Sequence, residues 1–162
     1  MNKILQKKML NNTVGMMVVD APLVARRAEP GQFIILRSHE DGERIPLTIA
    51  DYDREKGTVT IIYQVVGAST VLLNSLEEEE YIHDFVGPLG NQTNTEGLKK
   101  VAVVGGGVGC AIAYPVAKKL HALGCHVDAV IGFRSRDMVL LEDEFALAST
   151  RLFRVSRSEE RQ

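Results

Sequence analysis

Five consecutive residues, Gly105-Gly106-Gly107-Val108-Gly109, have the composition of a phosphate-binding turn. Glycine permits a tight turn and lets phosphate oxygens approach the main chain without a clash with a Cβ atom. The turn follows an apolar run at 101–104 and precedes a helix-forming run at 111–123. The first N–H groups of that helix would point toward a phosphate. We therefore expect Gly105, Gly106, Gly107 and Gly109 to bind a dinucleotide. Cys110 stands where the fingerprint read from Gly105 has its last glycine, so a purely structural turn is the alternative.

Two arginines follow the next apolar run, residues 127–131, in the segment Gly132-Phe133-Arg134-Ser135-Arg136-Asp137. In a doubly wound sheet this position meets the adenosine ribose of a dinucleotide. Arg134 and Arg136 could bind a 2′-phosphate through their guanidinium groups, and solvated surface arginines are the alternative. No acidic residue ends the run, and Asp137 comes several positions late. The sequence therefore does not decide between NAD and NADP.

A second set of polar groups lies in the first half of the chain, in Arg44-Ile45-Pro46-Leu47-Thr48-Ile49. It combines a cation suited to a phosphate with a hydroxyl suited to the polar edge of a ring. The segment Gly67-Ala68-Ser69-Thr70 begins a short predicted helix, which Ser69 and Thr70 would cap. This segment could bind a second phosphate oxygen. A strand with one exposed arginine is the alternative interpretation.

The elements that would position these residues differ between the two halves of the chain. Apolar runs at 3–10, 13–19, 33–37 and 58–65, separated by turn signals such as Asn11-Asn12, predict a small antiparallel barrel. From residue 97 onward, an apolar strand, the glycine turn, a helix closed by Gly124 and a second strand predict a βαβ unit. We place a barrel domain at 1–95 and an α/β domain at 96–162.

Taken together, these motifs resemble the ferredoxin–NADP reductase superfamily, and in particular its FAD- and NAD(P)-binding electron-transfer subunits. Those are the alpha subunit of ferredoxin–NADP reductase, the beta subunit of sulfide dehydrogenase and the electron-transfer subunit of dihydroorotate dehydrogenase. The similarity covers about residues 2 to 153 and follows the family's order of motifs. The remaining motifs that carry it are Pro30-Gly31-Gln32-Phe33, Gly87-Pro88-Leu89-Gly90 and Leu141-Glu142-Asp143-Glu144-Phe145.

The resemblance implies an FAD-binding antiparallel β-barrel followed by a partial α/β, Rossmann-like, NAD(P)-binding domain. It implies that Arg44 pairs with the FAD pyrophosphate and that Pro46, Leu47 and Thr48 line the isoalloxazine. The remaining assignments are that Gly67, Ser69 and Thr70 complete the pyrophosphate site and that the glycines at 105–109 hold the nicotinamide dinucleotide. Hydride transfer between the two cofactors would depend on positioning and would need no side-chain acid or base.

The sequence also departs from the family pattern. Family members carry a four-cysteine [2Fe–2S] motif in a C-terminal segment about a hundred residues longer, whereas this chain has only Cys110 and Cys125. An intramolecular cluster would therefore lack ligands, and two buried free thiols are the simpler expectation. The segment from Arg154 to Gln162 is charged and shows no strand pattern. We interpret the chain as truncated or frameshifted. The run Glu77-Glu78-Glu79-Glu80 replaces the family's usual turn and is expected to be a solvated face.

Composition excludes several other classes of protein. The formal net charge of −2 gives no basic surface for nucleic acid, and no apolar run is long enough to span a membrane. We therefore expect a cytoplasmic protein with neither interaction. The expected function is flavin-dependent electron transfer between NAD(P)H, FAD and a larger flavoprotein or iron–sulfur subunit. The alternative is a truncated, non-catalytic remnant that retains only flavin or partner binding.

Overall fold

A computed structural model describes residues 1–157 of the chain, which fold into an antiparallel sheet followed by a parallel one. The strands of the first sheet are β1 (Asn2–Met9), β2 (Val14–Asp20), β3 (Phe33–Arg37), β4 (Ile45–Asp53), β5 (Thr58–Gln64), β6 (Tyr81–Ile82) and β7 (Asp84–Leu89). They are hydrogen-bonded in the order β6-β1-β2-β5-β4-β3-β7.

The first sheet curls into the predicted barrel because its two edge strands are nearly continuous in sequence. Only His83 separates β6, which pairs with β1, from β7, which pairs with β3. The His83 N–H also donates to the carbonyl oxygen of Ser38 at 3.3 Å. One stretch of chain therefore joins both ends of the sheet, which leaves few unpaired edge groups.

Alternation along the strands fills the barrel with apolar side chains. Its fully buried members include Ile4, Met17, Val19, Ile34, Leu36, Ile61 and Ile82. Two short helices cover the interior, α1 (Pro22–Arg27) through Val24 and α2 (Ala68–Asn74) through Leu73. Helix α1 was not predicted. It has a proline in its first turn but no capping side chain, so its sequence lacks most of the usual helix-start signal.

The second sheet is the predicted βαβ unit, extended by one more strand. Its strands β8 (Lys100–Gly106), β9 (His126–Phe133) and β10 (Arg151–Ser156) are parallel, in the order β10-β9-β8. Helix α3 (Cys110–Ala122) connects β8 to β9, and α4 (Glu142–Leu147) precedes β10. Although the charged segment from Arg154 onward shows no clear strand pattern, its residues 154–156 belong to β10 and pair with 131–133. Residues 158–162 of that segment lie outside the described residues.

The two sheets share a hydrophobic core. Val14, Ala50 and Ile62 on the outside of the barrel are buried in one cluster with residues of the α/β half, such as Ala117 and Val127. The predicted division at residue 95 falls in the loop between β7 and β8. It remains a prediction, because this cluster crosses from one half to the other.

Ion pairs also attach helix α3 to the barrel. Lys118 Nζ lies 2.9 Å from Asp51 Oδ1, and Lys119 Nζ lies 2.8 Å from Glu29 Oε2. Glu29 also pairs with Arg54 at 3.0 Å. These pairs therefore attach the C-terminal part of α3, the end opposite the glycine turn, to the barrel.

Local features of the sequence behave largely as predicted. Asn11 closes the β1–β2 hairpin, its Oδ1 accepting the N–H groups of Thr13 and Val14 at 2.9 Å. Gly124 follows α3 with φ +88°, the left-handed conformation that favours glycine. The acidic run is mainly exposed, with Glu77 and Glu79 paired to lysines of β1. Within residues 1–157, no helix has both the length and the apolar content needed to cross a membrane.

Candidate functional site

The structure brings together the two polar segments that the sequence analysis singled out in the barrel half. Strands β4 and β5 are antiparallel, so the start of β4 and the end of β5 lie at the same end of the sheet. Arg44 directly precedes β4, and Gly67 follows β5 after a short connection. The Ser69 hydroxyl donates to Glu43 Oε2 at 2.9 Å. Arg44 and Ser69 therefore lie in one region of the surface, although 25 positions separate them in the sequence.

The conformation of the Gly67–Thr70 segment depends on the Thr70 hydroxyl. Thr70 Oγ accepts the N–H groups of Val66 at 3.0 Å and Gly67 at 3.1 Å, and it donates to the Gly67 carbonyl at 3.0 Å. Gly67 is the N-cap residue of α2. The prediction that Ser69 and Thr70 together cap this helix therefore needs correction. Thr70 reaches back to the cap from the first turn, and the Ser69 hydroxyl points instead to Glu43.

Arg44 belongs to a small cluster of charged side chains centred on Asp84. Arg44 Nη2 lies 3.5 Å from Asp84 Oδ2, and Arg37 Nε lies 2.8 Å from the same oxygen. His83 Nδ1 lies 3.1 Å from Asp84 Oδ1. Burial would raise the pKa of Asp84, but His83 and Arg37 outweigh it and hold that pKa below its usual value. The carboxylate therefore stays charged and provides an anchor for the exposed Arg44 side chain.

The residues that follow Arg44 alternate between the two faces of β4. Leu47 packs against the barrel core, whereas Pro46 is exposed. Pro46 lies opposite Ile35, which in turn lies opposite Val86 of β7, a side chain that is 57% exposed. Thr48 is two positions from Pro46 and lies on the same face of the strand. Pro46 and Thr48 thus share an outward, mainly apolar surface, and Leu47 can contribute to that surface only through its main chain.

A second group of predicted residues lines a cleft of about 560 Å³ at the carboxyl ends of the parallel strands. Gly106, Gly107 and Arg134 contribute to it, and Val155 of β10 forms part of the same wall. In open α/β sheets, ligands bind at this end of the strands. The structure therefore brings part of the glycine turn and Arg134 together in one cavity.

The glycines of the turn differ in whether a side chain could be accommodated at their position. A Cβ atom on Gly105 would lie 3.0 Å from Cys110 Cα and Sγ, so this glycine allows the start of α3 to pack against β8. Gly107 has φ +54°, which a side chain would strain. A Cβ atom on Gly106, Gly107 or Gly109 would meet no atom within 4 Å. The turn is therefore uncrowded by other protein atoms in the Cβ direction of these three glycines.

The segment after β9 places Arg134 at the cleft, whereas Arg136 lines a separate cavity. Arg134 is exposed and has no side-chain partner within residues 1–157. The Ser135 hydroxyl donates to the Asp137 carboxylate, which fixes the loop beside it. Glu142, in the first turn of α4, pairs with Arg154 of β10. The Glu142 carboxylate therefore connects α4 to β10 through a structural ion pair.

Sequence reasoning missed several residues of both groups. Asn11, Val14 and Gln64 of the barrel half line the cleft beside the glycine turn. Asp84 and Glu43 contact the arginine and the hydroxyl of the first group. No local signal marks these residues, because their positions depend on strand pairing and on the contact between the two sheets.

Both cysteines are buried free thiols, as predicted. Cys125 Sγ donates to the Leu98 carbonyl at 2.7 Å, and burial raises the pKa of the Cys110 thiol to about 11. Among residues 1–157, no group of three or more His, Cys, Asp or Glu side chains is arranged to hold a metal ion. These two buried thiols do not fit a [2Fe–2S] cluster, which is held by four cysteine thiolates.

No family model matches the chain, but individual proteins do. A Clostridium beijerinckii protein described as "Uncharacterized protein in adh 3′region" is 47% identical over 160 residues, covering 94% of this chain and 54% of that protein. The dihydroorotate dehydrogenase B (NAD(+)) electron transfer subunit homolog of Thermotoga maritima is 42% identical over 145 residues, covering 90% of this chain and 51% of that protein. The chain thus spans about half the length of the curated relatives it matches.

A solved structure gives the same result at the level of the fold. An NADH-dependent reduced ferredoxin-NADP oxidoreductase, described in connection with flavin-based electron bifurcation, matches with a TM-score of 0.92 and 38% identity. The match covers 96% of this chain and 56% of that one. The resemblance found in the sequence is confirmed, and two of the relatives are named as a dihydroorotate dehydrogenase B electron transfer subunit or its homolog.

Proposed function

Since this chain is a member of the ferredoxin–NADP reductase superfamily, we propose that it binds FAD on the barrel and a nicotinamide dinucleotide in the cleft. Electrons would pass between the two cofactors and a larger flavoprotein or iron–sulfur subunit. The observation that carries the proposal is that motifs far apart in the sequence lie close together in the structure. Arg44 lies beside the Glu43–Ser69 contact, and Gly106, Gly107 and Arg134 line a single cleft.

The groups near Arg44 fit the phosphates of FAD. The Arg44 guanidinium and the Ser69 hydroxyl both already contact anionic oxygens, those of Asp84 and Glu43. Phosphate oxygens present the same charge and accept the same hydrogen bonds. Gly67 is exposed, and a Cβ atom on it would meet no atom within 4 Å, so the main chain there is open to a ligand.

The outward face of β4 fits the ring of a flavin. Pro46 and Val86 offer exposed apolar contacts on neighbouring parts of the barrel surface, and Thr48 adds a hydroxyl for a polar ring edge. Bound FAD would supply the ability to take up a hydride and release electrons one at a time. These side chains would bind the ring and orient it.

The cleft fits a dinucleotide for a different reason. Gly106 and Gly107 carry no side chain that would keep a phosphate away from the main chain, and α3 begins after the turn. A phosphate there would meet free N–H groups and the positive end of the helix dipole. Arg134 at the rim would meet the ribose end of the ligand, and its charge suits a 2′-phosphate.

The contribution of this chain to catalysis would be positioning. The ion pairs of Lys118 and Lys119 and the shared core fix α3 against the barrel. The glycine turn is thereby held at a set distance from β5, whose Gln64 lines the same cleft. Correct placement of two reactants can supply much of a rate enhancement without an acid or base. The cysteines do not fit a cluster, so no step through one is assigned to this chain.

Two measurements on the purified protein test the proposal. Reconstitution with FAD should give the flavin absorption bands, shifted from those of free FAD, at one equivalent per chain. Anaerobic addition of NADH or NADPH should then bleach the band near 450 nm. Protein that binds no FAD would refute the barrel assignment. Protein that binds FAD but is not reduced by either nucleotide would refute electron transfer and leave flavin binding alone.

A further inference from the structure

In the proposed flavin site, the hydroxyl that is expected to bind a phosphate already donates its hydrogen bond to a carboxylate. The Ser69 hydroxyl donates to Glu43 Oε2 at 2.9 Å, although Ser69 is one of the groups expected to bind the FAD pyrophosphate. Glu43 is exposed, and within residues 1–157 it makes no ion pair. Among the described residues, no salt bridge therefore balances its charge.

Asp84, the other carboxylate of this region, differs from Glu43 in having cationic partners. Arg37 and His83 hold it at 2.8 and 3.1 Å, so its charge is balanced before a ligand arrives. Arg44 contacts it at 3.5 Å through one of its nitrogens, and the remaining guanidinium N–H groups can still donate to a phosphate. Asp84 thus supports Arg44, whereas Glu43 competes with the ligand.

We propose that Glu43 is a specificity-determining residue that opposes the binding of flavin phosphates by competing for the Ser69 hydroxyl. This inference rests on the proposed function. A hydroxyl has one hydrogen to donate, so a phosphate oxygen can take it only after Glu43 releases it. Once released, the carboxylate remains close to the phosphate, and like charges at that distance repel each other.

The competition depends on phosphate and not on the flavin ring. Riboflavin carries the ring without a phosphate, FMN carries one phosphate and FAD carries two. The carboxylate should therefore weaken FMN and FAD binding and leave riboflavin binding unchanged. The site would hold its phosphorylated cofactor less tightly than the same residues would without Glu43.

The test compares Glu43→Gln with Glu40→Gln, a matched change at an exposed residue of the same loop. Equilibrium dialysis or fluorescence quenching measures the affinities for riboflavin, FMN and FAD, and thermal unfolding checks that both variants fold. Glu43→Gln keeps an oxygen that can accept from Ser69 but removes the charge that repels a phosphate, so it should bind FMN and FAD about 10-fold more tightly than the wild-type chain. Its riboflavin affinity should be unchanged, and Glu40→Gln should match the wild type throughout. The gain should shrink as the salt concentration rises, because salt screens repulsion between exposed charges.

Each other result has a definite meaning. Equal FAD affinity in the wild type and Glu43→Gln, or weaker binding by the variant, would overturn the inference while the proposed function stands. Equal tightening of riboflavin would also overturn it, because phosphate would then not be involved. If neither binds any flavin, the proposed function itself fails.

Discussion

Lys119 Nζ on helix α3 lies 2.8 Å from Glu29 Oε2 in the barrel half, and their side chains are only 28% and 30% exposed. Arg54 contacts the other oxygen of the same carboxylate at 3.0 Å. Burial would raise the pKa of Glu29, but Lys119 and Arg54 together outweigh it and lower that pKa from 4.5. The two halves of the chain are thus joined by a charge network centred on Glu29.

The first prediction is that Lys119→Met lowers the free energy of unfolding by about 1 kcal/mol at pH 7. Because the pKa of Glu29 is lowered in the folded state, the stability from its pairing is fully present above about pH 4.5. That stability is lost as the pH falls through the folded-state pKa. Urea unfolding at pH 7 and near pH 3 should show the deficit of the variant shrinking in acid. Lys99→Met, at an exposed lysine, is the control, and an undiminished deficit in acid would contradict this account.

The second prediction is that Arg44→Ala weakens FAD binding by about 10- to 150-fold, the loss of a charge-assisted contact worth about 1.5–3 kcal/mol. Arg44→Lys should retain part of the affinity, since it keeps the charge without the planar fork. Arg27→Ala changes an exposed arginine of α1 and should have no effect. FAD titration measures all three variants, and unchanged affinity in Arg44→Ala would reject the phosphate assignment.

The third prediction separates structural from ligand-binding glycines in the turn. Gly105→Ala should destabilise the protein by about 1–3 kcal/mol, because its Cβ would press against Cys110 at 3.0 Å. Gly106→Ala has open space around its Cβ and should leave stability nearly unchanged. It should nevertheless weaken NADH or NADPH binding by about 10-fold, because the new methyl group stands where a phosphate approaches.

Thermal unfolding and nucleotide titration of both glycine variants provide the measurements. If Gly106→Ala binds nucleotide as the wild type does, the turn is structural only. That outcome would restore the alternative interpretation of the glycine sequence.

The fourth prediction concerns two adjacent hydroxyls with different roles. Thr70→Ala removes the acceptor for the Val66 and Gly67 N–H groups and should cost about 1 kcal/mol of stability, as for loss of a helix cap. Ser69→Ala removes only the bond to Glu43 and should change stability by less than about 0.5 kcal/mol. Chemical denaturation compares the two. Equal losses would show that Ser69 also supports the start of α2.

The fifth prediction concerns metal content. Cys110 and Cys125 are both buried, and an intramolecular cluster would need more thiolates than these two supply. Protein purified anaerobically should contain neither iron nor acid-labile sulfide in stoichiometric amount. Stoichiometric iron measured by colorimetric assay would mean that a cluster forms between chains or uses other ligands.

Much of the architecture was predictable because it depends on local chemistry. Alternating apolar residues and turn signals predicted most barrel strands, and Gly124 marked the end of α3. Strands β6 and β7 escaped prediction. The first is very short, and Gly87-Pro88-Leu89-Gly90 has the composition of a turn even though β7 extends to Leu89. Gly87 is required there for packing, since its Cβ would lie 2.6 Å from Ile34 Cγ2.

The sequence revealed the motif residues of the candidate site but not the residues that contact them. Arg44, Ser69 and the glycine turn stand out by residue type, but their partners do not. Asp84 contacts Arg44 from 40 positions away, because β3 pairs with β7 on one side and with β4 on the other. Such contacts are set by tertiary packing, which no local pattern of residue types encodes.

The core shared between the two sheets limits how such a chain can be recombined. Val14, Ala50 and Ile62 belong to three different barrel strands, yet they complete the packing beneath α3. If the second sheet were grafted onto another barrel, its apolar face would be left without packing partners unless those three residues were transferred with it. Exchange of the nucleotide-binding half between relatives is therefore restricted to barrels whose outer surface already carries matching small apolar side chains. In proteins that arose by such an exchange, the barrel strands should carry matching residues as consistently as the glycine turn does.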